Sequence, residues 1–567
     1  RFLLGYRNSA GAGTVTLDGG SWSNATEVFA VGYNGSPTAE PTFTATNVAF
    51  FTTNIFVSGS AAYPARLHLK DCSWVATGDI AVGHGGTAEM IIDGGTQTFA
   101  CVHPVNHTKG SCTVTVRASI GGANGSGRGT LRLRGADRVT TFGTEGGEFY
   151  VGNETGSEGW VHHEAGTTYI GTATSAITVW LSSRGTSYFG VTGGTVRCYS
   201  QFNTARGNAA IGVSGGRLYA TAINLGNSDT TQNPVQTFTI TGGEVETGTF
   251  SVAIKNNPAT ENVVLNGGVL KVNELKGGPG AGENGGAATA NVTADGGTIQ
   301  AKASGYYLIR GFDSFKLGAA GLTINTAVDT TVSQDMTSMD GVHGRLIKTG
   351  VGTLTLTGTI ADDVTVEVRE GKVVFAASNE IGALTIGGEK TGGAIEIADG
   401  QTLTVKGDVT IVRDVTVGDV TLVKDEITGV TTVTVETSAT PETLQLRLDQ
   451  GTSNATENIT FKGVDTLEAV VGTGADLTLS GKTQRGAFVK NGPGAFHLTN
   501  ADNLFVSGVT LNGGLLEATP PAAMGLDYAN TTTLMMMTDG TLAFGANGGV
   551  EHVVNTKPTL NASTPTN

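Results

Sequence analysis

The strongest constraint in this sequence is a short phrase, built around a pair of glycines, that recurs along the chain. Three copies follow one another in the middle of the first half: TFTITGGEVETGTF, VVLNGGVLKV and ANVTADGGTIQA. Their first glycines, Gly242, Gly267 and Gly296, lie 25 and 29 residues apart. Self-similarity at a period of 20–30 residues indicates a repeat protein, in which each repeat packs only on its neighbours.

Other copies extend this pattern over most of the chain, with apolar and small polar residues alternating on both sides of each glycine pair. They begin at Gly19, Gly94, Gly193, Gly215 and Gly513. Alternation with a period of two predicts strands with one inward face, and glycine allows a positive φ at each corner between strands. Successive repeats share the same register, so we expect each strand to stack on the equivalent strand of the next repeat. This arrangement predicts an all-β fold of the parallel β-helix type rather than an antiparallel meander.

The composition agrees with β-structure and restricts the partners. Glycine makes up 86 of 567 residues without a triplet period, and charged residues are only 15%. The net charge of −15 argues against nucleic acid as a partner. No apolar run approaches the 18 residues of a membrane helix, so we expect no membrane insertion. Nothing in the sequence indicates a cofactor.

Four segments differ in the style of their repeats. Residues 1–304 carry the glycine-pair phrase, with loop insertions expected at residues 120–129 and 277–286. Residues 305–345 have a helix-like or capping character and are predicted to form a transition segment. Residues 346–554 carry a second repeat, and the Thr/Pro/Asn-rich residues 555–567 are expected to be a tail or linker.

The second repeat is visible when residues 346–375 are aligned with residues 488–517. The shared positions are Lys348/Lys490, Gly350/Gly492, Gly352/Gly494 and Leu356/Leu498. The segment KTGVGTLTL, followed by TVEVREGKV, resembles the autotransporter-associated β-strand repeat of bacterial surface proteins. The resemblance implies a right-handed parallel β-helix carried outside the bacterial cell, and it implies no single activity. No membrane barrel is recognisable, so we expect a released passenger, a fragment or a surface protein exported by another route.

Several clusters could carry chemistry, and each has a simpler structural interpretation. Cys101 and Cys112 enclose His103 and His107, which allows a zinc site, although a Cys101–Cys112 disulfide is favoured outside the cell. A group of arginines concentrates positive charge in an acidic chain and could bind an anionic glycan or an acidic neighbouring subunit, with a solvated face as the simpler reading. These arginines are Arg128, Arg132, Arg134 and Arg138.

Three further features have equally simple structural interpretations. Gly83–His84–Gly85, Asp362–Asp363 and residues 345–348 share residue types with polygalacturonases, but their order and separation favour ordinary turns and strands. The sequence His162–His163–Glu164 is expected on an exposed strand, and Met535–Met537 in a strand.

We expect a non-enzymatic, extracellular or surface-attached bacterial protein. Because the end of a β-helix exposes unpaired backbone groups, the leading hypothesis is self-association into fibres or a surface layer. One alternative is an adhesin that binds glycans through exposed aromatic residues such as Trp160 and Trp180. The other is a β-helical polysaccharide hydrolase or lyase, which requires two or three carboxylates converging in one groove.

Overall fold

The computed structural model describes most of the chain, in segments separated by gaps. The described residues are 2–4, 13–32, 39–59, 63–83, 86–99, 113–116, 127–144, 148–153, 155–228, 233–387, 393–398, 401–406, 409–411, 420–425, 430–435, 443–448, 452–455, 459–460, 466–484, 486–505, 507–524, 535–544 and 552–555. Among the described residues strands are the dominant element, and parallel strands stack on one another as in a β-solenoid. The predicted all-β parallel β-helix is therefore confirmed.

The chain divides into two compact units. The first comprises residues 1–302 and 306–315, and the second comprises residues 303–305 and 316–567. The predicted transition segment, residues 305–345, is not helical. It contains the strands Tyr307–Arg310, Ser314–Leu317, Leu322–Thr326, Thr330–Val332 and Thr337–Ser338. The apolar residues in this segment alternate with polar ones, so the period is that of strands and not of a helix.

In the first unit the chain passes repeatedly through three parallel sheets, here called sheets 1, 2 and 3. Sheet 1 contains Thr14–Asp18, Thr42–Thr46, Ala65–Lys70, Thr87–Asp93, Arg128–Arg134, Glu158–His163, Thr186–Val191, Ala209–Val213, Val235–Ile240, Thr260–Leu265 and Thr289–Ala294. Sheet 2 contains Ser73–Ala76, Thr96–Phe99, Val139–Phe142, Thr167–Ile170, Thr195–Cys198, Arg217–Tyr219, Glu244–Glu246, Val269–Val272 and Thr298–Ala301.

Sheet 3 contains Phe2–Leu4, Ile80–Val82, Thr113–Val116, Glu148–Val151, Thr178–Leu181, Gln201–Thr204, Ala222–Asn224, Thr249–Val252, Glu274–Gly277 and Tyr307–Arg310. Two long strands, Ser21–Val31 and Ala49–Val57, run through sheets 2 and 3. Inward residues alternate with outward ones in all three sheets, and the core is filled by columns of Val, Ile, Leu and Phe, as in Phe189, Ile211, Phe238 and Val263 of sheet 1.

The second unit is built in the same way. One parallel stack contains Arg345–Thr349, Thr365–Val368, Ala383–Ile386 and Val409–Ile411, and a second contains Thr353–Leu356, Gly371–Phe375 and Gly393–Ile397. The short strands Asn379–Ile381 and Leu403–Val405 pair with each other.

The later part of this unit continues with parallel stacks of similar strands. One contains Val420–Asp425, Thr443–Leu448, Thr466–Val471, Ala487–Asn491, Val509–Leu511 and Met535–Met537. Another contains Thr452–Ala455, Asp476–Leu479, Ala495–Leu498, Leu515–Ala518 and Thr541–Phe544, and Ile459–Thr460 pairs with Thr483–Gln484. Val430–Val435 and His552–Asn555 pair antiparallel with their neighbours. Two short 3-10 helices, Gly282–Asn284 and Pro521–Met524, complete the described elements.

The glycine pairs lie at corners, but their two members serve different purposes. The positive φ falls on the second glycine of most pairs, for example 68° at Gly243. The first glycine has positive φ only at Gly19, Gly94 and Gly296 among the predicted corner residues. At Gly242 a Cβ atom would lie 2.4 Å from the carbonyl oxygen of Ser214 in the preceding turn of the solenoid. Equivalent contacts apply to Gly193, Gly215 and Gly267, whereas a Cβ at Gly513 would meet only ordinary contacts. Each of the eight corners therefore contains a positive φ, as expected, and at five of them only the second glycine has it.

The predicted loop at residues 277–286 is a compact, hydrogen-bonded turn. Asn284 Nδ2 donates to the carbonyl oxygen of Gly278 at 3.0 Å, and the carboxylate of Asp313 accepts from the backbone N–H of Ala290 at 2.8 Å. The other predicted loop, residues 120–129, lies largely outside the described residues.

The lysine shared by the two aligned repeats of the second unit is a buried structural cation. Lys490 is fully buried, and its Nζ donates to the carbonyl oxygens of Asn491, Gly492 and Gly513 at 2.9, 2.8 and 3.2 Å. Lys348 occupies the same position and donates to the carbonyl oxygens of Thr349, Gly350 and Glu370. The lysine of the K-x-G-x-G pattern therefore satisfies carbonyl groups that converge at a corner.

We expect the replacement of Lys490 by methionine to destabilise the second unit by about 2 kcal/mol at pH 7, because three buried carbonyl groups lose their donor. Burial lowers the pKa of Lys490 to about 8 from its ordinary 10.5. Between these values the unfolded chain binds more protons than the folded one, so wild-type stability rises with pH by up to about 3 kcal/mol. Urea denaturation between pH 7 and pH 11 should show the deficit of the variant growing with pH.

The matched control is Lys372→Met, because Lys372 is partly exposed and pairs with Glu396 on the surface. Its effect should stay below about 1 kcal/mol. A deficit of Lys490→Met that is constant across this pH range would contradict the assignment of a buried, titrating ammonium group.

Candidate binding groove on the outer face of sheet 1

Four neighbouring strands of sheet 1 bring ring-bearing and charged side chains onto one outer surface. The register places Trp160 beside Thr130 on one side and Tyr188 on the other. In the next outward column, His162 stands between Arg132 and Gly190. These residues are about 30 positions apart in sequence and become neighbours because parallel strands of successive turns lie ~4.8 Å apart.

The rings on this surface are held by contacts with one another and with an arginine. The guanidinium carbon of Arg128 lies 4.8 Å from the ring centre of Trp160, which is cation–π geometry. The ring centres of His162 and Tyr188 are 5.3 Å apart. Trp160, His162 and Tyr188 are each half-buried, so one part of every ring remains accessible to solvent.

Two glycines make room for the Tyr188 ring. A Cβ atom at Gly190 would lie 2.5 Å from Tyr188 Oη and 2.7 Å from Cε1, so the ring occupies the space of the missing side chain. At Gly212, in the next turn, a Cβ would lie 3.4 Å from Tyr188 Oη, which is a tolerable contact. The Tyr188 ring therefore packs flat over Gly190 and contributes to the flat outer surface of the sheet.

Together these groups line an open groove of about 530 Å³. The lining residues are Arg128, Thr130, Arg132, Trp160, His162, Thr186, Ser187, Tyr188 and Ala210. Apolar ring surfaces alternate here with hydroxyl, imidazole and guanidinium groups, which is the mixture found in sites that bind small polar ligands.

Three of the four predicted patch arginines lie on this outer face, but glutamates neutralise them. Arg128 pairs with Glu158 at 2.6 Å, and Arg132 pairs with Glu89 at 2.8 Å. Glu164 pairs with both Arg132 and Arg134, at 3.2 and 3.0 Å. The positive charge of these three arginines is therefore balanced by glutamates of adjacent turns, and the binding of an anionic partner at this surface stays a prediction.

The fourth arginine, Arg138, is not on the surface at all. It is fully buried, and burial lowers the pKa of its guanidinium to about 10. Its NH1 donates to Thr140 Oγ1 at 2.6 Å, and its NH2 donates to the carbonyl oxygen of Ala165 at 2.8 Å and to His163 Nε2 at 3.0 Å. The strand alternation that places Arg132 and Arg134 outside ends at Gly135, where φ is 80° and the chain turns a corner. Beyond that corner the inward and outward positions alternate again, but they are no longer in step with those of the preceding strand.

His163 is buried with Arg138, whereas its neighbour His162 faces the groove. Because arginine can only donate, His163 Nε2 must accept, and Nδ1 carries the proton that it donates to the carbonyl oxygen of Gly193 at 2.8 Å. Burial, and secondarily the charge of Arg138, lower the pKa of His163 to about 4. Burial and the nearby Arg132 also lower the pKa of His162, so a neutral imidazole lines the groove at neutral pH. The expectation that both histidines lie on an exposed face was wrong for His163.

Trp180, the second predicted aromatic platform, is in sheet 3 and not beside Trp160. Its Nε1 donates to Glu148 Oε1 at 3.2 Å, and the ring is half-buried beside Tyr150. The two tryptophans therefore do not form one row. Sequence reasoning missed Tyr188 and Gly190, which complete the platform of Trp160, because their partnership depends on the length of the intervening turn.

The structure brings none of the remaining described candidate residues together into a shared site. Cys101, Cys112, His84 and Gly85 lie outside the described residues. Asp362 pairs with Lys406, and Arg345 pairs with Glu367. Cys72 and Cys198 are buried free thiols, Met537 is buried and Met536 is exposed.

Two kinds of feature are absent from the described ranges. Within these ranges, no three His, Cys, Asp or Glu side chains are arranged to hold a metal ion. No helix in the described part of the chain has the length and hydropathy of a membrane span. Comparison with known protein families, curated proteins and solved structures finds no match to this chain.

We expect the His163→Gln variant to lose less unfolding free energy than the wild type when the pH is lowered from 7 to 4. Between the folded pKa of about 4 and the ordinary 6.5 of His163, the unfolded chain binds more protons, so wild-type stability falls as the pH falls through this range. The loss should reach up to about 3 kcal/mol. Glutamine can still accept from Arg138 but does not titrate. Urea denaturation at pH 7 and pH 4 measures the effect, and His343→Gln, at an exposed imidazole, is the control. An equal loss of unfolding free energy in His163→Gln and the wild type would overturn this account.

Proposed function

We propose that this protein is an extracellular bacterial β-solenoid that binds glycans in the groove on the outer face of sheet 1. The observation that carries the proposal is the half-buried Trp160 ring beside Tyr188 and His162, all facing one open groove. A sugar ring has an apolar face that packs on an aromatic side chain, and hydroxyl groups at its edge that need hydrogen-bond partners. Thr130, Thr186 and the groove-lining arginines supply such partners.

The electrostatics of the groove favour binding over hydrolysis. Each of the acidic residues beside it, Glu89, Glu158 and Glu164, forms an ion pair with an arginine. Hydrolysis of a glycosidic bond requires two carboxyl groups that face the bond, one as proton donor and one as base or nucleophile. Carboxylates whose oxygens are turned towards arginines are not arranged in this way, but they can still accept hydrogen bonds from sugar hydroxyl groups. Self-association into fibres or a surface layer stays a prediction, since it depends on surfaces that the groove does not involve.

The proposal is tested by comparing Trp160→Ala with Trp180→Ala for binding to a panel of immobilised and soluble oligosaccharides. Loss of a stacking ring should weaken binding roughly tenfold or more, which corresponds to about 1.4 kcal/mol. Trp180→Ala is the matched control, because it removes a ring of the same size and similar exposure from sheet 3. Equal binding by wild type and Trp160→Ala, or no binding of any oligosaccharide by the wild type, would reject the proposal.

A second pair of variants tests the floor of the groove without removing a ring. Gly190→Ala should tilt the Tyr188 ring out of its place and weaken glycan binding several-fold, because the new Cβ needs the space of the ring. Gly212→Ala meets the same ring at a tolerable distance and should bind as the wild type does. Titration calorimetry on folded variants measures the difference. Equal affinities of the two variants would show that the position of Tyr188 does not matter.

A further inference from the structure

A second groove lies beside the first, at the corner where the chain enters sheet 1. It has a volume of about 380 Å³ and is more polar than the first. Its lining includes Glu158, Arg184, Gly185, Thr186, Gly207 and Asn208.

The two grooves adjoin each other. Thr186 lines both of them, and the ion pair between Arg128 and Glu158 joins a residue of the first groove to a residue of the second. Tyr188 is two residues further along the same strand than Thr186, about 7 Å away. A ligand that touches both Tyr188 and the second groove must therefore be longer than one sugar unit.

The second groove contains a cation that is not neutralised by a described acidic residue. Arg184 is exposed, and no ion pair joins it to any carboxylate in the described part of the chain. This distinguishes it from Arg128, Arg132 and Arg134, each of which is paired with glutamate. A guanidinium group binds a carboxylate through two parallel hydrogen bonds, which gives geometric specificity as well as affinity.

The groove floor beside Arg184 is backbone, which lets a ligand approach closely. A Cβ atom at Gly207 would lie 1.8 Å from the carbonyl oxygen of Gly185, so this position has no room for a side chain. Asn208 is fixed, because its Oδ1 accepts from the backbone N–H of Val235 at 2.9 Å, and its Nδ2 can donate to a ligand. Arg184 and Asn208 thus provide a cation and a neutral donor in the same groove.

We propose that the ligand of the two adjoining grooves is an acidic oligosaccharide, whose uronate carboxylate binds Arg184 while a neighbouring sugar packs on Trp160 and Tyr188. This inference rests on the proposed glycan-binding function and specifies the class of glycan. The protein as a whole carries a net charge of −15 and repels polyanions. Recognition of an acidic chain therefore requires a locally placed cation, which Arg184 supplies.

The test is titration calorimetry of the full chain with oligogalacturonate and oligomannuronate, each compared with its carboxyl-reduced, neutral form. The wild type should bind an acidic form about tenfold more tightly than the matching neutral form. Arg184→Gln should lose this preference and bind the neutral form as the wild type does. Arg206→Gln is the matched control, because it removes an exposed arginine that lines neither groove and should keep the preference.

The outcomes separate this inference from the proposed function. Equal affinity of the wild type for acidic and neutral forms, or a preference that survives in Arg184→Gln, overturns the role of Arg184 and leaves glycan binding in place. Failure of the wild type to bind any form, acidic or neutral, overturns both. Loss of the preference in Arg206→Gln as well would show a general effect of charge, and the inference would fail.

Discussion

The structure depends on one constraint: every turn of the solenoid must place its backbone in register with the turn before it. Strands meet this requirement easily, but corners must repeat at the same place, and there the backbones approach closely. A Cβ atom at Gly216 would lie 2.5 Å from the carbonyl oxygen of Gly194, and one at Gly243 would lie 2.5 Å from that of Gly216. Because the close contact is with backbone, each turn that stacks at this corner needs a glycine of its own, and the glycine pairs recur along the chain for this reason.

The same corners explain why a chain with few charged residues buries some of them. Carbonyl groups converge where the backbone turns inward, and a long cationic side chain can satisfy several at once, as Arg138 and Lys490 do. Glu261 is the acidic counterpart: burial raises its pKa to about 7, and its carboxylate occupies the space beside Gly226. A charged group is expensive to bury without partners, and for Arg138 and Lys490 the converging carbonyl groups at the corner offset that cost.

The fold could be predicted from the sequence because the period-two alternation and the glycine-pair phrase recur from repeat to repeat. The sequence did not predict whether a side chain that follows a corner points into the core or out to solvent. Arg134 and Arg138 are four residues apart, and unbroken alternation would place both on the same face. The positive φ at Gly135 separates the two phases, and one arginine is outside while the other is fully buried. Lys348 and Lys490, which the sequence aligned, occupy equivalent positions because each lysine directly precedes the same kind of corner.

The groove could not be found from the sequence for a related reason. Its floor combines Trp160 and Tyr188, which are separated by a full turn, and neither residue belongs to a recognisable motif. Neighbours on a solenoid surface depend on turn length, which varies here from about 20 to more than 30 residues, as loops are added or removed at corners. Outward positions do not contact the core, so they can change without affecting the stacking that holds the fold. A lateral site in such a protein is therefore defined by register and can be read only once every turn has been placed.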